Sequence, residues 1–149
     1  MVLEVVREIK LVVICSQMLV ELTNGFLPRR ATVGSAAYDV YATENMPCNP
    51  GIHTMNLGFK VQIPNGHFLL LKSRSSLALK GMQVIAGVID EDYRKEIVLA
   101  FELSSPMIFK RGDRIAQMIL IKYYAPDLVE GKVSENGRGG FGSTGSGKI

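Results

Sequence analysis

Three carboxylates, an aromatic ring and a guanidinium fall within five consecutive positions of the segment Gly87–Arg94. Its sequence is Gly-Val-Ile-Asp-Glu-Asp-Tyr-Arg, so the β-branched residues Val88 and Ile89 predict a short strand that ends at Asp90. A carboxylate just after a strand can orient a water molecule, and Tyr93 can form one wall of a pocket. The alternative is a turn with solvated acids, because turns attract aspartate for local hydrogen bonding.

A second group of polar side chains lies in Lys72–Gly81, where the alternation of apolar and polar residues is interrupted. Ser73 or Ser75 is a suitable N-cap, and the Leu-Ala-Leu run that follows favours one short helix with Gly81 as its C′ residue. A helix N-terminus that carries serine hydroxyls beside the guanidinium of Arg74 can bind phosphate. The alternative is an ordinary capped helix with an arginine on its surface.

The last thirteen residues, Gly137–Ile149, contain six glycines, which predicts a flexible tail. Arg138 and Phe141 are unusual in a plain spacer. Glycines interleaved with Ser143 and Thr144 can also wrap phosphate groups with backbone N–H groups. The tail is therefore a candidate phosphate-binding loop.

The elements that must position these groups are short strands. Apolar residues alternate with polar ones or run together in six segments: Val2–Leu22, Ala36–Ala42, Leu57–Ile63, His67–Leu71, Glu96–Leu103 and Ile115–Ile121. Turn sequences such as Asn49-Pro50-Gly51 and Pro64-Asn65-Gly66 give spacings typical of an all-β sandwich or barrel. The near-continuous apolar run Glu96–Leu103 predicts a strand buried on both faces. Gln117, in the last strand, must find partners in the core or on a ligand.

Length, charge and cysteine content limit the function. The 149 residues fit one domain, with a body of residues 1–136 and a flexible tail of residues 137–149. The net charge of +3 is spread along the chain, which argues against nucleic-acid binding and suits a small anionic ligand. Cys15 and Cys48 are too few for a disulfide framework or a zinc site. The apolar run Leu11–Cys15 is too short for a membrane span or signal peptide, so we predict an intracellular protein, cytoplasmic or nuclear.

Five separated segments resemble, in order, the five motifs of the trimeric dUTPases, the deoxyuridine triphosphate nucleotidohydrolases. They are Ala36–Ala42, Arg74–Ala78, Gly87–Arg94, Gly112–Gln117 and Arg138–Gly145. The third and fifth are the most specific. The resemblance implies a jelly-roll-like β-fold that assembles as a homotrimer with active sites at subunit interfaces. It also implies hydrolysis of dUTP to dUMP and pyrophosphate, with Mg²⁺ held mainly by the substrate phosphates.

The resemblance further implies roles for individual residues around the nucleoside. Asp90 matches the residue that orients and deprotonates the water that attacks the α-phosphorus. Tyr93 matches the aromatic ring that packs beneath the deoxyribose. The segment Val84–Val88 matches a hairpin whose backbone recognises uracil. The predicted contacts in this region are Val84, Ile85, Gly87, Val88 and Ile89.

The remaining matches concern the phosphates and the tail. Asp39 matches the residue assigned to the hydration shell of Mg²⁺, and Gln117 matches a phosphate contact. Arg138 matches the γ-phosphate ligand, and Phe141 matches the ring that stacks on uracil. The resemblance implies that the tail, residues 137–149, is a lid segment that closes over the site. The other predicted contacts belong to the phosphate-binding helix and to this closing loop: Arg74, Ser75, Ser76, Gly142, Ser143 and Thr144.

Two other functions are open on the same fold. The segment Ser73–Ser76 departs from the Pro-Arg-Ser-Gly sequence usual in the family and resembles the Arg-Ser-Ser-Leu-Ala sequence of the dCTP deaminases. Those enzymes carry an acid/base glutamate where this chain has Ala100, so deamination is disfavoured. A non-catalytic nucleotide-binding or signalling protein is expected to lack the water-orienting acid or the tail arginine, and Asp90 and Arg138 are both present.

Overall fold

Strands make up nearly all of the regular structure. The computed structural model describes residues 17–140, and within that range it contains eleven strands and one short helix. They are β1 Leu19–Leu22, β2 Tyr38–Tyr41, β3 Met46–Cys48, β4 Gly51–Asn56, β5 Phe59–Gln62, β6 His67–Lys72, α1 Ser75–Ala78, β7 Met82–Ile85, β8 Val88–Ile89, β9 Val98–Leu103, β10 Met107–Phe109 and β11 Arg114–Lys122. The predicted all-β class with one short helix is confirmed. The part of the first predicted strand before residue 17 lies outside the described residues.

The strands form two main sheets with antiparallel pairing. One sheet has the order β2-β11-β6-β8 and the other the order β4-β9-β7, while β1-β5 and β10-β3 form two-stranded ribbons. In the first sheet β11 is central, and Gln117 lies opposite Asp39 of β2 and Lys72 of β6. This register brings three of the candidate site segments to one end of the sheet.

The core is built from alternating side chains of both sheets. Leu99, Phe101 and Leu103 of β9 are buried, and so are Leu69 and Leu71 of β6, all in one hydrophobic cluster. Removing such apolar side chains from water is the main favourable contribution to folding. The core therefore fixes β6, whose two ends carry the candidate site.

The prediction that Glu96–Leu103 is buried on both faces is wrong for a single chain. β9 begins at Val98, which is 49% exposed, and Glu102 on the same face is also exposed. Ile52 of β4, which pairs with Glu102, is 68% exposed. One face of this sheet therefore presents the apolar side chains of Val98 and Ile52 to solvent, because no element formed by residues 17–140 covers it.

The short helix is capped differently from the prediction. Arg74, with φ −75° and ψ 140°, is the N-cap and makes no side-chain capping hydrogen bond, so neither predicted serine fills that role. Ser73 Oγ instead accepts a hydrogen bond from Val84 N–H at 2.8 Å. Gly81 follows the C-cap Leu79 by two residues, one position later than predicted. Between residues 17 and 140, no helix has the length and apolar character needed to cross a membrane.

The segment Val84–Val88 is not the predicted hairpin. β7 pairs with β9 and β8 pairs with β6, so the chain crosses from one sheet to the other. Ala86 and Gly87 have φ values of +58° and +110°, which turn the chain at this crossing. Gly87 C=O then accepts a hydrogen bond from Leu71 N–H at 2.8 Å, so the turn lies directly against β6. We call residues 84–88 the β7–β8 crossover.

Candidate active site

Asp90 is exposed on the corner that follows β8, and it lines a cavity of about 770 Å³. The other lining residues are Phe68, Val88, Glu91, Asp92 and Tyr123. Two backbone features fix the position of the corner. β8 pairs with β6 on one side, and Tyr93 N–H donates a hydrogen bond to Asp90 C=O at 3.1 Å on the other. We call this space the Asp90 cavity.

Tyr93 is the aromatic residue of the same corner. Its hydroxyl donates a hydrogen bond to Glu96 C=O at 2.8 Å, and the residue is 36% exposed. Anchoring the hydroxyl to the backbone fixes the direction of the ring, because a tyrosine has only two side-chain torsions to restrict. Its predicted contact with the deoxyribose stays a prediction.

A second cavity, of about 640 Å³, brings together the predicted phosphate residues. Arg74, Ser75, Ser76, Asp39 and Gln117 all line it. It also contains Arg114, Ile119 and residues of the loop before β2, namely Ala31, Ser35, Ala36 and Ala37. We call this space the arginine cavity.

Asp39 lies between two arginines in this cavity. Arg74 Nε is 3.8 Å from Asp39 Oδ1, and Arg114 Nη1 is 3.6 Å from Asp39 Oδ2. Arg74 Nη1 also donates a hydrogen bond to Arg114 C=O at 3.1 Å. The two guanidinium groups exceed the one carboxylate in charge, so the cluster is positive and suits an anion. The predicted contact of Asp39 with a hydrated cation stays a prediction.

Gln117 finds its hydrogen-bond partner within the protein. Its Nε2 donates to Ser73 C=O at 2.9 Å, so the amide fixes the residue that precedes Arg74. This contact explains how a polar side chain is tolerated in the middle of β11. Gln117 can thus position the phosphate-binding segment, and its direct contact with phosphate stays a prediction.

Sequence reasoning missed several residues that the tertiary structure adds to the site. Arg114 lies in the fourth motif, and its basic side chain three residues before Gln117 could have indicated it. Glu91 was noted only as one of three acids in the corner. Phe68 and Tyr123 come from β6 and from the residue after β11, and no local pattern marks them.

The described part of the tail, residues 137–140, is exposed. Arg138 is exposed, as are all residues from Lys122 to Gly140. Phe141, Gly142, Ser143 and Thr144 lie outside the described residues. The lid role of residues 137–149 is therefore a prediction.

The two cavities lie towards opposite ends of β6 within one chain. Phe68 lines the Asp90 cavity, whereas Lys72, four residues later, pairs with Gln117 of the arginine cavity. At roughly 3.3 Å per residue, the two positions are about 13 Å apart along the strand. A single chain thus keeps the water-orienting candidate and the arginine cluster in separate cavities.

The dUTPase family model matches residues 23–145, which is most of the chain. The chain belongs to the dUTPase family. Its similarity to the deoxyuridine 5'-triphosphate nucleotidohydrolase of Paramecium bursaria Chlorella virus 1 is 40% identity over 125 residues, which covers 79% of this chain and 89% of the relative. The match to the family model begins at residue 23, six residues after the first described position, and it includes the lining residues of both cavities.

Solved dUTPase structures share the fold. A variant of the Staphylococcus bacteriophage 80alpha dUTPase with dUpNHpp has a TM-score of 0.79 at 22% identity, over 87% of this chain and 99% of that one. A dUTPase from phage phi11 of S. aureus, which coordinates a structural Mg(II) ion, has a TM-score of 0.75 at 20% identity, over 80% and 99% of the two chains. The predicted jelly-roll-like dUTPase fold is confirmed.

Whether this site can hold a divalent cation depends on which of its side chains can coordinate the ion. Among residues 17–140 no group of three or more His, Cys, Asp or Glu side chains could hold a metal ion. Asp39, the predicted metal residue, is already shared between two guanidinium groups, which compete with a cation for its oxygens. The side chains of this part of the chain do not form a complete Mg²⁺ site by themselves.

Proposed function

We propose that this chain is a dUTP diphosphatase that hydrolyses dUTP to dUMP and pyrophosphate. This activity keeps uracil out of DNA and supplies dUMP for thymidylate synthesis. Membership of the dUTPase family supports the proposal, as does the name of the viral relative. The observation that carries it is the position of Asp90, which is exposed at the end of β8 in a cavity of about 770 Å³.

Asp90 acts as the general base. Its carboxylate accepts a proton from a water molecule, and the water oxygen forms a bond to the α-phosphorus. The bond from the α-phosphorus to the oxygen that bridges to the β-phosphate breaks, and pyrophosphate leaves. The proton on Asp90 then passes to solvent. Positioning supplies much of the rate, because an aspartate is a weak base at neutral pH.

The arginine cavity holds the triphosphate. Arg74 and Arg114 present guanidinium groups that bind phosphate oxygens through paired hydrogen bonds, and the hydroxyls of Ser75 and Ser76 add further donors. Asp39 keeps both arginines in place. A Mg²⁺ ion carried by the substrate would supply charge neutralisation for the leaving pyrophosphate, with Asp39 as the residue nearest to its hydration shell by the family match. This division fits residues 17–140, whose side chains do not complete a metal site by themselves.

The base and sugar contacts follow the family motifs. The backbone of the β7–β8 crossover recognises uracil, and the ring of Tyr93 excludes a 2′-hydroxyl. In the tail, Arg138 binds the γ-phosphate and Phe141 stacks on the base, while Gly142, Ser143 and Thr144 close over the phosphates. Stacking of one base on an aromatic ring is worth roughly 1–3 kcal/mol, which is enough to help order the tail.

The active form is a homotrimer with shared sites. The first support for a trimer is the separation of about 13 Å between the two cavities along β6. A neighbouring copy can bridge this separation by bringing its own Asp90 corner or its own arginine cluster to the site. The outer face of β4 and β9, on which Val98 and Ile52 are exposed beside the polar Glu102, gives a surface for such contacts. Leu128, Val129 and Val133 are also exposed in the extended segment before the tail.

A substrate comparison tests the proposed function. Release of pyrophosphate is measured from dUTP, dCTP and UTP with Mg²⁺, for the wild type and for Asp90→Asn. We expect turnover of dUTP only, with a loss of at least about a hundredfold in Asp90→Asn. The matched control Glu44→Gln neutralises an acid in the exposed loop after β2 and should retain full activity.

The same experiment separates the alternatives. Ammonia released from dCTP indicates a deaminase, and no turnover of any nucleotide indicates a binding or signalling protein. Either result contradicts the proposal. Location in the cytoplasm or nucleus, and the absence of nucleic-acid and membrane partners, stay predictions.

A further inference from the structure

Glu91, the neighbour of Asp90, joins three parts of the fold. Its carboxylate oxygen Oε2 accepts a hydrogen bond from Gly66 N–H at 2.9 Å and another from the Tyr123 hydroxyl at 2.7 Å. Tyr123 N–H in turn donates to Gly66 C=O at 3.0 Å. The turn between β5 and β6, the end of β11 and the Asp90 corner are thereby connected by one carboxylate.

The other side of the corner is held through its backbone. Arg94 Nη1 donates hydrogen bonds to Glu91 C=O at 2.7 Å and to Tyr93 C=O at 3.1 Å. Asp90 therefore lies in a segment that is held in place by the hydrogen bonds of the Glu91 side chain and by those of the Arg94 guanidinium. Such surrounding contacts determine how accurately a functional side chain is aimed.

The charge of the Glu91 carboxylate sets the direction of its hydrogen bond with Tyr123. The hydrogen bond from Tyr123 is the largest cause that holds the pKa of Glu91 below its usual range, followed by the hydrogen bond from Gly66 N–H. Smaller electrostatic contributions in the same direction come from the side chains of Arg94 and His67. An ionised carboxylate can only accept hydrogen bonds, so the Tyr123 hydroxyl must act as the donor.

We propose that Glu91 and Tyr123 are positioning residues that aim the Asp90 carboxylate at the attacking water. This inference rests on the proposed dUTP hydrolysis. Glu91 and Tyr123 line the same cavity as Asp90, and they tie its corner to two elements that are remote in sequence. Since a misplacement of about 1 Å can cost roughly a hundredfold in rate, loss of the tie should appear in kcat.

Two neighbouring tyrosines provide a matched test. Tyr123→Phe removes the hydroxyl and keeps the ring, which packs edge-on against Phe68 at a centroid distance of 6.1 Å. Tyr124→Phe makes the same chemical change one position later, at a residue that is 88% exposed. Any difference between the two variants therefore reports on the hydrogen bond to Glu91. Glu91→Gln removes the charge and keeps the shape, and it provides a second variant.

Steady-state kinetics with dUTP give the first readout. We expect Tyr123→Phe and Glu91→Gln to lower kcat roughly 10- to 100-fold with KM changed less than about twofold, and Tyr124→Phe to match the wild type. A positioning role predicts this division, whereas direct binding of the substrate by either residue would raise KM. Wild-type kcat in both Tyr123→Phe and Glu91→Gln, or a change confined to KM, would overturn the inference.

A double-mutant cycle with Asp90→Asn gives the second readout. If Tyr123 acts through Asp90, adding Tyr123→Phe to Asp90→Asn should cause no further loss in single-turnover rate. An equal loss in both backgrounds would show that Tyr123 acts independently, and would overturn the inference. A wild type without dUTP turnover would contradict the proposed function itself, so the two failures are distinguishable.

Discussion

Substitution of Gly87 by alanine tests the close approach of the β7–β8 crossover to β6. A Cβ at Gly87 would lie 2.7 Å from Leu71 O and 3.3 Å from Leu71 Cβ. An ordinary contact needs 3.4 Å, so the crossover must move by roughly 0.7 Å away from a backbone atom that cannot rotate aside. The same shift strains the hydrogen bond from Leu71 N–H to Gly87 C=O.

The loss of stability in Gly87→Ala has two parts, backbone strain and the close contact with Leu71, and Gly51→Ala measures the strain alone. Gly87 has a φ of +110° and Gly51 a φ of +128°, and alanine at either position is strained by roughly 1–3 kcal/mol. A Cβ at Gly51 meets no atom within 4 Å, so Gly51→Ala carries the strain alone. Lower entropy of the unfolded chain offsets about 0.4–1 kcal/mol in both. Gly87→Ala additionally weakens a hydrogen bond worth about 1 kcal/mol, for a net destabilisation of roughly 1–3.6 kcal/mol.

The assay compares both variants with the wild type at one protein concentration, because an oligomer unfolds at a concentration-dependent midpoint. Each kcal/mol corresponds to about 2–4 °C in Tm for a chain of this size. We expect Gly87→Ala to melt below Gly51→Ala and to lose roughly 10- to 100-fold in kcat/KM for dUTP, since the crossover forms the predicted uracil contacts. Gly51→Ala should retain full turnover.

The reasoning fails if Gly87→Ala is as stable as Gly51→Ala and hydrolyses dUTP at the wild-type rate. That result would mean that the crossover can move away from Leu71 without cost. It would also remove the crossover from the substrate contacts.

Two further predictions concern acid stability and the tail. The pKa of Glu96 is lowered first by a hydrogen bond from the Thr23 hydroxyl and next by one from Asn56 Nδ2 at 2.5 Å. A lowered pKa in the folded state means that the unfolded chain binds more protons than the folded chain as the pH falls. The stabilisation that Glu96 contributes is therefore complete above the ordinary carboxyl pKa of 4.5, and it is lost as the pH falls through the lowered folded-state pKa. Urea unfolding should therefore show Glu96→Gln less stable than the wild type at pH 7, with a smaller difference below that range; an equal difference at both would disprove the linkage. Deletion of Arg138–Ile149 should abolish dUTP turnover and leave the oligomer size unchanged in light scattering, and an active deletion variant would refute the lid role.

Local sequence patterns predicted where the strands lie better than which strands pair or what covers them. The turn sequence Asn49-Pro50-Gly51 ends at the first residue of β4, and Pro64-Asn65-Gly66 ends directly before β6. Alternation placed β5 within Leu57–Ile63. The burial of β9 was misjudged, because an apolar run does not tell whether its second face is covered by the same chain or by another. The supposed hairpin at Val84–Val88 failed for a similar reason, since the flanking strands pair with β9 and β6 rather than with each other.

The sequence by itself determined the all-β class, the short helix and the five motifs, because turn chemistry, side-chain alternation and a motif such as Gly87–Arg94 are local properties. Only the tertiary structure showed that Asp39 lies between Arg74 and Arg114, and that Glu91 is bound by Tyr123. These contacts join residues 32 to 75 positions apart in the sequence. Their geometry depends on strand register across β2, β11 and β6, which is fixed by packing of the whole core and by no single segment.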